Sequence, residues 1–179
     1  MGEIKEDANC ISRRAFLIGS GTAVVSTIIL SNIPGLEGHA IAAEMKSYPR
    51  KKVGSLSKLK TNEVVNFHYP DGGANSGSML VKLGIEAGGG IGKNGDVVAF
   101  NTLCTHMGGP LGTLYKPKDG AVGPCPFHQS SFDLTRHGMI VTGHATESLP
   151  QVLLEVEGDI IYAVGIIGLV YGRYDNLKG

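Results

Sequence analysis

The sequence predicts an all-β fold, arranged as a small antiparallel sandwich or barrel, and two observations support this. Short apolar runs of strand length alternate with turn residues, and no stretch after the N-terminal segment shows sustained helical periodicity. Glycine accounts for 27 of the 179 residues, which favours turns and loops over long helices. Lys and Arg together number 16, as do Asp and Glu, so the charge balance excludes a nucleic-acid-binding protein.

The first 42 residues have the features of an export signal. Adjacent arginines, Arg13 and Arg14, precede a 16-residue apolar run at 15–30, and small residues follow at 40–42. This order is typical of a secretory signal, and the paired arginines resemble the twin-arginine type. We expect cleavage after the small residues and a periplasmic location. An uncleaved signal that anchors the protein in the membrane is the alternative, although the run is shorter than the roughly 20 residues that span a bilayer.

The remaining chain divides into a short basic segment and one domain. Residues 43–61 form the basic segment, which we expect to be a solvated approach to the domain at 62–179. Turn signals such as Pro70-Asp71-Gly72 separate the strand-like runs of this domain. The predicted strands cover residues 64–69, 79–83, 96–100, 131–134, 139–141, 152–156, 160–164 and 166–171.

Two short motifs carry the candidate metal ligands. Cys104 and His106 are separated by one residue, Cys125 and His128 by two, and 18 residues lie between His106 and Cys125. Thiolates and imidazoles bind zinc and iron–sulfur clusters, so both kinds of centre agree with this set. A disulfide between the two cysteines is a further alternative for an exported protein. A disulfide, however, would not explain why a histidine closely follows each cysteine.

The paired motifs resemble the Rieske family, in which two Cys hold one iron of a [2Fe-2S] cluster and two His hold the other. The resemblance implies that Cys104 and Cys125 bind one iron, and that His106 and His128 bind the second. It also implies a Rieske-type β fold with a cluster-binding subdomain of loops at about residues 100–150. Two neutral imidazoles in place of two thiolates make the site less negative, which raises its reduction potential. The chain would then carry electrons and have no catalytic residue.

Four further positions follow from the same resemblance. Respiratory Rieske proteins carry a disulfide where this chain has Gly109 and Phe127, so no bridge can form here. We expect Phe127 to fill the loop as an apolar residue. Ser130 matches a Ser that donates to a cluster sulfur, with an ordinary loop hydroxyl as the alternative, and Phe132 replaces a Tyr with the same role.

Residues 143–150 occupy the place of the third loop that covers the cluster in Rieske folds, and we expect them to limit access of water. His144 in this loop is not assigned as a ligand. Ferric iron makes bound imidazoles more acidic, so the midpoint potential should fall with pH once His106 and His128 lose protons. A potential independent of pH in the neutral-to-alkaline range would contradict this hypothesis.

Six stretches are spread over most of the chain after the signal, at residues 81–84, 96–99, 104–108, 145–150, 163–165 and 168–173. Together they resemble the small subunit of arsenite oxidase. That resemblance implies a large molybdenum-containing partner subunit and a periplasmic cytochrome c or copper protein as electron acceptor. Two alternatives are a Rieske subunit of a cytochrome bc-type quinol oxidoreductase and a structural zinc-binding interaction module.

Overall fold

The computed structural model describes residues 47–177, and within them it contains ten strands and no α-helix. The all-β prediction is confirmed. Two 3-10 helices, Leu56–Lys58 and Ala74–Ser76, lie in connections. The strands are β1 (Lys51–Ser55), β2 (Val64–His68), β3 (Gly77–Lys82), β4 (Val97–Asn101), β5 (Tyr115–Lys116), β6 (Ala121–Val122), β7 (Ser131–Asp133), β8 (Met139–Thr142), β9 (Gln151–Glu157) and β10 (Ile160–Ile167).

Six strands form a large antiparallel sheet in the order β1-β10-β9-β4-β3-β2. The hairpin between β9 and β10 has the two-residue connection Gly158-Asp159, and Gly158 has a φ of 60°. Such a left-handed turn matches the twist of the flanking strands, which explains the predicted hairpin. This sheet supplies the rigid base on which the remaining chain is built.

The other four strands, β5-β6-β7-β8, form a small antiparallel sheet. It is built entirely from residues 115–142, which continue from the first predicted metal-binding motif through the second. Its strands have only two to four residues. Strands so short gain little from ladder hydrogen bonds, so they depend on the apolar cluster below them.

The protein interior consists of two apolar clusters. One is formed mainly by residues from the strands of the large sheet, among them Leu80, Val97, Val152 and Ile161. The other joins the two sheets. Its buried members are Met79, Val81, Leu83, Ala87, Val98, Phe100, Cys104, Leu111, Val122, Cys125, Phe132, Leu134, Ala145 and Leu149. Both candidate cysteines are thus part of the packed core, which fixes their positions.

The structure corrects three parts of the sequence interpretation. Strands β5 and β6 lie where the sequence predicted none. Residues 51–55 of the basic segment form β1, an edge strand paired with β10, rather than a solvated approach. Charged side chains are typical of edge strands, so the pattern did not resemble a buried strand. The run 166–171 is also not a separate strand, because β10 continues to Ile167 and the chain then leaves the sheet.

The predicted signal at 1–42 lies outside the described residues. Between residues 47 and 177, no helix has the length and apolar character needed to cross a bilayer.

Candidate metal centre

The first predicted motif lies in a closed loop of six residues after β4. This segment, residues 104–109, is called ligand loop 1. The Cys104 N–H donates to the Gly109 carbonyl at 2.9 Å, and the Gly108 N–H donates to the Cys104 carbonyl at 2.8 Å. Gly108 has a φ of 68°, a left-handed conformation that glycine adopts readily. The chain therefore turns back on itself around His106.

The second motif lies in a loop of the same size between β6 and β7. This segment, residues 125–130, is called ligand loop 2. The Cys125 N–H donates to the Ser130 carbonyl at 2.8 Å, and the Gln129 N–H donates to the Cys125 carbonyl at 2.9 Å. Gln129 has a φ of 62°, the same left-handed conformation as the matching glycine of ligand loop 1. The two loops share one backbone arrangement, although the cysteine is the only residue that stands at the same position in both six-residue sequences.

Both thiols of these loops are buried and close together. Cys104 and Cys125 are each 1% exposed, and neither forms a disulfide. Burial raises the pKa of Cys104, as does its hydrogen bond with Cys125, while backbone N–H groups of His106 and Met107 act in the opposite direction. The disulfide alternative is therefore not realised. The geometry instead gives two thiols side by side with N–H donors directed at one sulfur.

The two imidazoles form a second pair. The ring centroids of His106 and His128 are 4.5 Å apart, and the rings are nearly perpendicular at 83°. The ring of His144 lies 5.7 Å from that of His106 and 6.1 Å from that of His128. Partial burial lowers the pKa of His106, and the neighbouring imidazoles of His128 and His144 add to the effect. The neutral imidazole, the form that binds metal, is thus favoured at His106.

This donor set fits a cluster with two protein ligands on each iron. The thiols are paired with each other, and the imidazoles are paired with each other. Nδ1 of His106 is buried and has no hydrogen-bond partner, which is costly for a polar atom that has no ligand to bind. Two thiolates and two imidazoles are the ligands of a Rieske [2Fe-2S] centre.

Ser130 connects ligand loop 2 to the segment 143–150, which is called the cover loop. Its side chain is fully buried, and its Oγ accepts the N–H groups of His144 and Ala145 at 3.0 Å each. Because both lone pairs are used, the hydroxyl hydrogen is available to donate to a further acceptor. On the other side, Thr105 Oγ1 donates to the Glu147 carbonyl at 2.7 Å. The cover loop is thus attached to both ligand loops.

The structure places Gly109 and Phe127 next to each other, but corrects the expected role of the phenylalanine. A Cβ atom on Gly109 would lie 3.1 Å from Phe127 Cδ2 and 2.5 Å from Cys125 Sγ. Phe127 is 56% exposed, so it lies over Gly109 at the surface and does not fill the interior. The neighbouring Met107 is also exposed, at 53%. Each candidate ligand histidine thus has an exposed apolar residue next to it in the chain.

Phe132 is the buried aromatic residue of the small sheet. It belongs to β7, pairs with Val122 and Ile140, and has no exposed surface. Both Cys104 and Cys125 belong to the same buried cluster. Its ring therefore lies in the core that supports the two thiols.

Two contacts at the site were absent from the sequence interpretation. Thr105 contacts the cover loop, and Tyr171 contacts Gly108 from beyond the end of β10. Thr105 stands inside the first motif, so its position was the available signal. Tyr171 lies far along the chain from that motif, and no spacing rule connects them.

Comparison with known proteins decides the family. The model of the Rieske [2Fe-2S] domain matches residues 52–153. The chain belongs to the Rieske family. A Rieske domain implies a [2Fe-2S] cluster with two Cys and two His ligands, so the structural-zinc alternative is set aside. Rieske domains carry electrons through this cluster, so the chain is a Rieske electron-transfer protein.

Similar proteins cover most of this Rieske chain. It is 55% identical over 170 residues to "Iodate reductase subunit IdrB" of Denitromonas iodatirespirans, which covers 95% of this chain and 89% of the relative. Identity to the protein of the same name from Pseudomonas sp. (strain SCT) is 53% over 169 residues, 94% of this chain and 85% of the relative. Among solved structures, the soluble domain of the Rieske protein II (soxF) from Sulfolobus acidocaldarius has a TM-score of 0.61 at 25% identity, covering 71% of this chain and 82% of that one.

Proposed function

We propose that this chain is the electron-transfer subunit of an iodate-reductase complex. The observation that carries the proposal is its similarity, over nearly its whole length, to two proteins named as iodate reductase subunits. In such a complex, electrons enter this subunit from a carrier and leave it for a catalytic subunit that reduces iodate. Residues of this chain perform no chemistry on the substrate.

We propose the four predicted ligands as the residues that hold the cluster. Cys104 and Cys125 bind one iron, and His106 and His128 bind the other. When bound, the cluster supplies transfer of one electron at a time. The thiols lie in the core, whereas the side chain of His128 is exposed. This difference in exposure supports the imidazole side as the one that faces electron-transfer partners.

The proposal includes the partners and the location. The catalytic partner is a large molybdenum-containing subunit, and the external partner is a periplasmic cytochrome c or copper protein. The pattern at residues 1–42 supports export by the twin-arginine route, with an anchored form if the signal is retained. Fractionation tests the location: the complex should appear in the periplasm, and recovery from the cytoplasm alone would contradict it.

Arsenite oxidase is the second candidate for the complex. Its support is the resemblance of several stretches, including residues 145–150 and 168–173, to the small subunit of that enzyme. The two candidates differ in the direction of electron flow. An arsenite oxidase delivers electrons from its catalytic subunit to the Rieske subunit, and an iodate reductase withdraws them.

One experiment separates the two candidates and tests the ligands. The complex is purified with both subunits, and the visible and EPR spectra of the Rieske cluster are followed. Iodate should oxidise a pre-reduced cluster, whereas arsenite should leave an oxidised cluster unchanged. The reverse pattern would favour arsenite oxidase, and a response to neither would contradict both.

Ligand variants complete this test. His128→Ala should remove the Rieske EPR signal from the complex. His68→Ala, at the exposed end of β2, is the matched control and should keep it. A wild-type complex with no such signal, or a normal signal in His128→Ala, would contradict the ligand assignment.

A further inference from the structure

Ligand loop 1 is covered on one side by a residue outside both Cys–His motifs and outside the span of the matched Rieske model. Tyr171 follows β10, and one edge of its ring lies against Gly108. A Cβ atom on Gly108 would be 2.6 Å from both Cδ1 and Cε1 of Tyr171. The contact thus falls on the left-handed residue that closes the loop, two positions after His106.

The turn that carries Tyr171 is fixed on both sides of the ring. Val170 is fully buried, and its N–H donates to Asn176 Oδ1 at 2.9 Å. The Arg173 N–H donates to the Val170 carbonyl at 3.1 Å, which closes the turn. The guanidinium of Arg173 is buried, and its two terminal nitrogens each donate to Asp71 at 2.9 Å. Tyr171 is therefore presented by an anchored segment.

The ion pair that anchors this turn is strong enough to persist at neutral pH. Hydrogen bonds from Arg173 and Ser76 hold the pKa of Asp71 well below its usual range. Asp71 is therefore ionised over the whole neutral range. It lies in the connection between β2 and β3, so the anchor joins the segment after β10 to the large sheet.

Ligand loop 1 needs such support more than a bridged loop does. Gly108 and Gly109 are adjacent, and glycine has the largest backbone freedom to lose on folding. The bridge positions hold Gly109 and Phe127, so no covalent bond restrains the loop. Phe127 contacts Gly109 from an exposed position. The Tyr171 residue is also partly exposed, at 37%, but the turn that carries it is anchored in the protein.

We propose that Tyr171 is a positioning residue that holds ligand loop 1 in its cluster-binding conformation, in the place of the missing disulfide. It acts through Gly108 and fixes the backbone that orients His106. This inference rests on the proposed ligand role of His106. It concerns the ring and not the phenolic hydroxyl, because the Tyr171 atoms that lie against Gly108 are ring carbons.

The test compares three variants of the full chain in its complex. Tyr171→Leu removes the ring, Tyr171→Phe keeps the ring without the hydroxyl, and Tyr174→Leu changes a tyrosine that is 83% exposed. Three quantities are measured: hydrogen exchange of the amides in residues 104–109, the rate of cluster loss to a chelator, and the EPR spectrum of the reduced cluster.

Tyr171→Leu should exchange these amides and lose its cluster about tenfold faster, because a packed aromatic contact no longer opposes local opening. Its EPR spectrum should be shifted or broadened. Tyr171→Phe and Tyr174→Leu should match the wild type. If Tyr171→Leu yields a folded, cluster-free chain while Tyr171→Phe keeps the cluster, the proposal also holds.

Three results would overturn it. Tyr171→Leu could match the wild type in exchange, cluster loss and EPR; Tyr171→Phe could be as impaired as Tyr171→Leu, which would assign the effect to the hydroxyl; or Tyr171→Leu could lose its sheet structure by circular dichroism, which would make the ring a general part of the fold. Failure of the proposed function looks different, because the wild type would then keep its Rieske signal but iodate would not oxidise its pre-reduced cluster. Failure of the ligand assignment would instead leave a normal signal in His128→Ala.

Discussion

The two ligand loops reach the same backbone conformation by different means. In each, the cysteine N–H donates five residues ahead, its carbonyl accepts from four residues ahead, and the fifth residue is left-handed. Ligand loop 1 uses Gly108 at that position, with the Tyr171 ring against it. Ligand loop 2 uses Gln129, followed by Ser130, whose buried hydroxyl accepts two N–H groups of the cover loop.

The difference shows which contacts each loop depends on. Ligand loop 1 depends on the absence of a side chain and on a ring that packs from outside. Ligand loop 2 tolerates a side chain at the same position and depends on one hydroxyl for its connection to the cover loop. The histidine also stands one position later in ligand loop 2, so the same backbone presents the two imidazoles at nearly perpendicular angles.

The largest effect is expected where ligand loop 1 has no room. Gly108→Ala forces alanine into a left-handed conformation and places Cβ against the Tyr171 ring. These two effects together should lower the free energy of unfolding by about 2–4 kcal/mol. Denaturant unfolding followed by loss of the visible cluster absorbance measures it. Unchanged stability would show that the loop adapts without cost.

A smaller loss is expected from the hydroxyl of ligand loop 2. Ser130→Ala leaves the N–H groups of His144 and Ala145 without their acceptor, which should cost roughly 1–3 kcal/mol of stability. Ser148→Ala, an exposed serine in the cover loop, is the control and should change stability by less than about 0.5 kcal/mol. Equal effects of the two variants would refute a special role for Ser130.

The third prediction concerns the potential rather than stability. Phe132→Tyr should raise the midpoint by tens of millivolts, where about 59 mV is a tenfold change for one electron. The reason is that a hydroxyl donating to a cluster sulfur stabilises the more negative reduced state. A redox titration monitored by EPR measures it, with Phe67→Tyr on β2 as the control. An unchanged or lower midpoint would show that position 132 is not directed at the cluster.

The smallest effect should come from making ligand loop 2 resemble ligand loop 1. Gln129→Gly relieves left-handed strain but adds backbone freedom in the unfolded chain, so stability should change by less than about 1 kcal/mol. Thermal unfolding of the cluster-bound protein measures the change. A loss as large as that of Gly108→Ala would mean that ligand loop 2 requires the Gln129 side chain and does not merely tolerate it.

Much of the site could be predicted because its chemistry is local in the chain. Cys104 with His106, and Cys125 with His128, are short motifs whose residue types define a metal-binding donor set. The resemblance of the paired motifs to the Rieske family then implied the cofactor. The all-β class followed from short apolar runs and turn residues, which depend only on neighbours in sequence. The motifs do not distinguish an arsenite oxidase from an iodate reductase, because they define only the ligands of the cluster and not the substrate of the partner subunit.

Other features depend on residues that are distant in the chain. Lys51 and its neighbours look solvated in isolation, but become an edge strand because β10 offers free hydrogen-bonding groups. Phe127 looks like a core residue, yet lies outside because the interior next to Gly109 is already occupied by Cys125.

The sequence by itself determined the all-β class, the ligands proposed for the metal and the absence of a bridge between positions 109 and 127. The tertiary structure decided what supports the loops in that absence. Tyr171 reaches Gly108 only because β10 ends at Ile167 and the following turn is anchored through Arg173 to Asp71. Close packing between distant segments leaves no periodic or spacing signal in the chain, which is the physical reason that only the folded protein reveals it.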